Sequence, residues 1–154
     1  MPKELDELDR RILSVLQQEN RLSYAELADR VNSSSASCMR RVRRLREEGV
    51  IVGDLALVDP KAVGKSLTVI VLVELERERL DLLDDFKREM QAADEVSQCY
   101  MVTGEADFVL VVTVEDIATF DHFVKSKLYA NRNLRKFRSM ITLDRLKFEP
   151  RVHV

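Results

Sequence analysis

Five of the seven residues from Arg40 to Arg46 are arginines: Arg40, Arg41, Arg43, Arg44 and Arg46. Ser34, Ser35 and Ser37 stand just before them. Guanidinium groups clamp phosphate or bond guanine bidentately, and small hydroxyl residues let a helix end approach base edges. On a helical wheel of about 100° per residue, Cys38, Val42 and Leu45 share one face, with Met39 at its edge. Arg40, Arg44 and Ser37 lie opposite, and Arg41 and Arg43 flank them. One side can dock while the other meets DNA, which gives a candidate DNA-facing set of Ser34, Ser35, Ser37, Arg40, Arg41, Arg43 and Arg44. The competing reading is a solvated charged face in an ordinary domain.

A second group is Gly104-Glu105-Ala106-Asp107, between two β-rich runs. Gly104 permits a tight bend and a close ligand approach. Asp107 could accept from an ammonium group, and Ser139, near the last strand, offers a hydroxyl. On chemistry alone a plain hairpin turn is favoured, with Asp107 bonding a backbone amide. The two histidines, His122 and His153, have no metal-ligand spacing, so no cofactor or metal is expected. Cys38 and Cys99 are too few for a disulfide scaffold and fall in apolar patterns, which suits buried thiols in a reducing compartment.

The elements that must position these groups can be read from composition and periodicity. The chain has 154 residues, 45% of them apolar, enough for one domain or two small ones. Its charged residues, 34% of the total, nearly cancel to −2. That argues against a non-specific nucleic-acid coat and leaves the local arginine cluster as the basic feature. No apolar run approaches a membrane span, and Met1-Pro2-Lys3-Glu4 lacks the core of a signal peptide, so a cytosolic protein without membrane partners is expected.

Leu5, Leu8, Ile12, Val15 and Leu16 predict a helix over about 6–19, with Asp6, Glu7 and Asp9 favouring its N-terminal dipole. Ser23-Tyr24-Ala25-Glu26 fits a capping box and opens a helix with Tyr24, Leu27, Ala28 and Val31 on one face. Asn32-Ser33 makes a turn, Ser34 caps the arginine helix, and Gly49 ends it in a left-handed conformation. Three helices with a tight connection before the third make a helix-turn-helix unit. Residues 50–58 read as extended, with Gly53 allowing a kink, and 59–64 is turn-rich. The domain boundary is placed near residue 60.

The second half reads strand, helix, strand, strand, helix, strand. Residues 67–75 alternate with both faces largely apolar, so this strand is central. Leu83, Phe86, Met90 and Ala93 make one helix face; Ile117, Phe120, Val124 and Leu128 make another. Strands are expected over 96–103, 108–114 and 137–148. The order βαββαβ predicts a ferredoxin-like sandwich, two helices on one face of a four-stranded antiparallel sheet. The other face still carries apolar residues such as Ile70 and Leu72, so a second copy is expected to cover it.

These residues resemble the Lrp/AsnC family of regulators. Leu5-Asp6-Glu7-Leu8-Asp9-Arg10-Arg11-Ile12-Leu13 looks like the family's opening helix. Arg21-Leu22-Ser23 with Glu26-Leu27-Ala28 looks like its second, and the run from Cys38 to Leu45 followed by Gly49-Val50-Ile51 like its recognition helix and exit. Val102-Thr103-Gly104-Glu105-Ala106-Asp107-Phe108 matches its Gly-x-x-Asp turn, and Ser139-Met140-Ile141 its final strand. The run 32–37 departs from the usual Gly-Leu-Ser and prolines. Ala130-Asn131-Arg132-Asn133 stands where a Pro-Gly turn is common.

The resemblance implies an α+β chain. A winged-helix-like helix-turn-helix domain with its connecting strand would span 1–60. A ferredoxin-like effector-binding and oligomerisation domain would span 61–154. It implies a transcriptional regulator rather than an enzyme, binding double-stranded DNA as dimers that assemble into octamers or larger. An amino-acid effector would sit at a dimer–dimer contact near Thr103, Gly104, Glu105, Asp107 and Ser139. Two alternatives share the layout: a haem-pathway decarboxylase, which leaves the arginines without a role, and a ligand-sensing assembly module without DNA binding.

Overall fold

The computed structural model describes residues 4–76 and 79–154; Met1-Pro2-Lys3 of the N-terminal reading lies outside them. The chain divides into two compact units. Met1–Ala56 with Lys147–Val154 form one, and Leu57–Leu146 the other.

The first unit holds α1 (Glu7–Leu16), α2 (Tyr24–Val31) and α3 (Ser35–Glu47). Each starts where a side chain satisfies the free amides of its first turn. Asp6 and Asp9 form a capping box on α1, and Ser23 and Glu26 form one on α2. Ser34 accepts from the Ser37 amide at the start of α3. Asn32, at φ 54°, turns the chain between α2 and α3. Gly49, at φ 70°, ends α3 and brings the Val50 and Ile51 amides onto the Leu45 carbonyl. Ile12, Leu13, Leu27, Ala28, Val31, Cys38, Val42 and Leu45 make the core. Tyr24, expected on the buried face of α2, is 41% exposed because it is the first helical residue and lies at the margin of that core.

Helix α1 stops at Leu16, short of the expected 19. Residues 52–58 have no place in a strand ladder, and Val52, Leu55, Leu57 and Val58 stand exposed. The C-terminal segment, placed with the second domain by the sequence, packs in the first unit. The Gln17 amide nitrogen donates to the Val152 carbonyl at 3.0 Å, and the Val152 amide donates back to the Gln17 side-chain oxygen at 2.7 Å.

In the second unit, a 3-10 turn at Pro60–Val63 precedes β1 (Leu67–Leu75), α4 (Leu80–Gln91), β2 (Val96–Met101), β3 (Phe108–Val114), α5 (Ile117–Phe123) and β4 (Leu134–Ile141). The sheet order is β2-β3-β1-β4, antiparallel throughout. Val69, Val71, Val73 and Leu75 of β1 and Phe108, Leu110, Val112 and Val114 of β3 point to the helices, where Leu83, Phe86, Met90, Phe123 and Leu128 meet them. Each such side chain contributes roughly 1.5–3 kcal/mol of hydrophobic burial.

Two local differences have physical causes. Residues 124–128 continue α5 as a π turn, which rotates the helix face. Val124 and Leu128 of the expected face are buried and Phe120 packs against the same core, while Phe123 joins them and Ile117, the first residue of α5, is exposed. The last strand ends at Ile141, since beyond Thr142 the chain leaves β1. At the turn before β4, the Asn131 side chain accepts from the Asn133 amide at 2.9 Å, so asparagine closes the turn in place of a Pro-Gly pair.

Candidate nucleic-acid interface and effector turn

Helix α3 is held by its apolar face and by charge. Asp9 of α1 is 1% exposed. Arg41 donates to Asp9 at 2.8 Å and to Asp6 at 2.6 Å, and Arg44 donates to the second Asp9 oxygen at 2.5 Å. The Asp6 and Asp9 hydrogen bonds raise the Arg41 pKa above its ordinary value and secure its charge. Asp6 is held below the usual 3.8 by the Asp9 backbone amide first and then by the Arg41 guanidinium.

This clasp gives two of the predicted DNA-facing residues a partner within the domain. Arg41 and Arg44 turn toward the domain, because a buried carboxylate needs compensating charge and both guanidinium groups reach it. Reading the sequence for helix dipoles makes Asp9 only a dipole partner and misses this role. A signal for it exists: Asp9 sits one position after the half-buried Leu8, on the side of α1 that α3 packs against.

Ser34, Ser35 and Arg40 are solvent-facing, as is Arg43, which pairs along the helix with Glu47 at 2.7 Å. Ser37 is half-buried. Arg46 pairs with Asp54 at 2.8 Å. Met39, read as the edge of the apolar face, is 52% exposed beside Arg40. The outward surface of α3 is thus Ser34, Ser35, Ala36, Met39, Arg40 and Arg43, a strip of small, apolar and cationic groups.

The second candidate group is a connection between β2 and β3. Gly104 has φ 115°, and a Cβ there would meet nothing within 4 Å, so backbone conformation rather than crowding asks for glycine. The Leu75 amide donates to the Asp107 carboxylate at 2.6 Å, where the β1–β4 register shifts between Glu74 and Leu75. Asp107 also donates its amide to the Val73 carbonyl and accepts from the Val102 amide, each at 2.9 Å. The plain-turn reading of Asp107 therefore holds for one carboxylate oxygen.

Thr103, Gly104 and Glu105 are exposed, and Glu105 accepts from Arg138 at 3.1 Å across the helix-free face of the sheet. Ser139 lies opposite Val71 on the edge strand, on the sheet face opposite to Arg138. Its chain neighbour Arg138 is the β4 residue that reaches the turn. Among the described residues, no group of three His, Cys, Asp or Glu could hold a metal ion. No helix among them is long and apolar enough to cross a membrane.

Residues 5–52 match the family model described as winged helix-turn-helix DNA-binding, and 68–152 match the Lrp/AsnC ligand binding domain. The chain belongs to the Lrp/AsnC family. As such it is a ligand-modulated transcriptional regulator, with a DNA-binding half and a ligand-binding half. The chain is 45% identical over 94% of its length to an uncharacterized HTH-type transcriptional regulator, y4tD, of Sinorhizobium fredii, covering 85% of that protein. It is 38% identical to the leucine-responsive regulatory protein of Rhizobium meliloti, covering 94% of this chain and 92% of that one. A transcriptional regulator from Neisseria meningitidis, solved as a complex with L-Met, superposes with a TM-score of 0.89 at 32% identity, covering 96% of this chain and 95% of that one. Family members of this kind are transcriptional regulators, and the α+β architecture described above is theirs.

Proposed function

We propose that this Lrp/AsnC regulator reads duplex DNA with the outward strip of α3 and answers to a free amino acid at the 103–107 turn. The observation that carries the first half is the division of labour among the arginines. Arg41 and Arg44 fix the helix on Asp9, while Arg40 stands exposed and Arg43 is tied only to a surface glutamate. Ser34 and Ser35 at the helix start offer hydroxyls to phosphate or base edges, Arg40 and Arg43 clamp backbone or guanine, and Ser37 supports the first turn.

The second half rests on the exposed Thr103-Gly104-Glu105 backbone, with the second carboxylate oxygen of Asp107 beside it. The L-Met complex of the Neisseria relative makes an amino acid the ligand class of choice. The backbone of Gly104 and Glu105 would face the ligand carboxylate, and Asp107 its ammonium. Ser139, exposed on the edge strand β4, would join from a neighbouring copy.

A dimer supplies two α3 helices for half-sites about one DNA turn apart. The helix-free sheet face, with Ile70, Leu72 and Met140, is the surface for the second copy, and octamers or larger assemblies would build on that dimer. The effector acts through different affinity for two assembly states. The protein works where the chromosome is, in the cytoplasm, without catalysis or cofactor. Footprinting on DNA upstream of its own gene, with and without each amino acid, tests the reading. A protected region that an amino acid shifts supports it, and absence of any protection overturns it.

A further inference from the structure

Four exposed residues of α3 follow one another at i, i+3, i+4 and i+7: Ala36, Met39, Arg40 and Arg43. That spacing puts them in one line along the helix, and it is the spacing at which a helix lying in a major groove brings side chains to successive base edges. Two of the four are arginines, whose partners are guanine and phosphate. The other two are apolar. Met39 is 52% exposed and lies outside the cluster that forms the core of its unit. A single exposed apolar side chain is ordinary on a protein surface. Its place here is what matters, three residues after Ala36 and directly before Arg40.

The major groove offers one apolar group, the C5 methyl of thymine. An unbranched thioether side chain adapts its shape to such a knob. We infer that Met39, with Ala36 beside it, is a specificity-determining contact to a thymine methyl. Arg40 would read or clamp the neighbouring position, so that the half-site has a thymine next to the arginine contact. The inference rests on the proposed reading of DNA by α3 and adds the base it prefers.

The test removes the methyl rather than the base pair. Full-length protein selects duplexes from a random-sequence pool, and the selected duplex is remade with deoxyuridine in place of thymidine at one position at a time. Burial of one methyl is worth a factor of about four in affinity. Wild-type protein should lose about fourfold at one or two symmetry-related thymines. Met39→Ala should bind the thymine duplex more weakly and show no further loss with deoxyuridine. Met39→Leu should keep the sensitivity. Full methyl sensitivity in Met39→Ala, or selective binding by wild type that ignores every thymidine-to-deoxyuridine change, overturns the inference while leaving DNA reading by α3 intact. Failure to enrich any sequence overturns both. Since Met39 lies outside the core, circular dichroism of Met39→Ala should match wild type, which separates a lost contact from a lost fold.

Discussion

Arg41 lies 2.8 Å from the buried carboxylate of Asp9, with Arg44 on the other oxygen of the same group. Two of the five clustered arginines therefore join α3 to α1. Breaking a buried pair by removing one partner leaves the other uncompensated and costs about 3–5 kcal/mol. Arg44 is 42% exposed and keeps part of its hydration, which places Asp9→Asn near the low end, at about 3 kcal/mol. Urea unfolding followed by helical circular dichroism checks this. A change within experimental error would mean that the clasp is incidental.

The α1 cap gives a pH dependence of definite sign. The Asp9 amide and Arg41 hold the folded Asp6 carboxyl below its usual 3.8. A depressed folded pKa contributes stability above the unfolded value and loses it as pH falls through the folded value. Wild type should exceed Asp6→Ala in stability at pH near 6, and the gap should close as pH drops below about 4. Thermal melts of both proteins across that window read it directly. A gap that persists unchanged at low pH would show that the carboxylate charge has no part in the cap.

Two acids of the β2–β3 turn should separate under mutation. Asp107 accepts the Leu75 amide, so Asp107→Ala leaves a part-buried donor unpaired and should cost about 1–3 kcal/mol without any ligand. Glu105 is exposed and pairs across the sheet with Arg138 of β4. Glu105→Gln should therefore leave stability within about 0.5 kcal/mol and, since the backbone at 105 is what would meet the ligand, leave amino-acid binding in calorimetry close to wild type. Equal destabilisation by both would contradict the division.

Gly104 adopts φ 115° with open space where a Cβ would go. Gly104→Ala should cost about 1–2 kcal/mol through backbone strain alone, and it should blunt the response to the effector. A fully stable variant with an unchanged response would show that the turn tolerates another conformation.

Local rules make much of this fold legible in the sequence. The Ser23 and Glu26 box, the left-handed Asn32 and Gly49, and the alternation of β1 depend on neighbours along the chain, and each stands where the pattern places it. Features that depend on distant partners are not legible in this way. Asp9 looks like a dipole residue because its partners stand 32 and 35 positions away. Helical periodicity over 117–128 finds Phe120, Val124 and Leu128 but misses Phe123, which shares the core with Leu128 where a π turn follows α5, and no residue type announces that turn. Residues 52–58 have strand composition, but a ladder requires a second strand, and none pairs with them among the described residues. At the turn, glycine spacing identifies the bend, while the use of the Asp107 carboxylate on Leu75 depends on a register shift across the sheet.

The most direct measurement of the central claim is the salt dependence of DNA binding by wild type, Arg40→Ala and Arg41→Lys on one selected duplex. Each lost phosphate contact lowers the slope of log K against log salt by about 0.9. A dimer of Arg40→Ala should therefore lose about 2 from the slope, one contact per protomer, and bind more weakly at every salt concentration. Arg41→Lys, altered inside the clasp, should keep the wild-type slope. An Arg40→Ala protein with unchanged affinity and slope would contradict the claim, because the outward face of α3 would then not be where DNA lies.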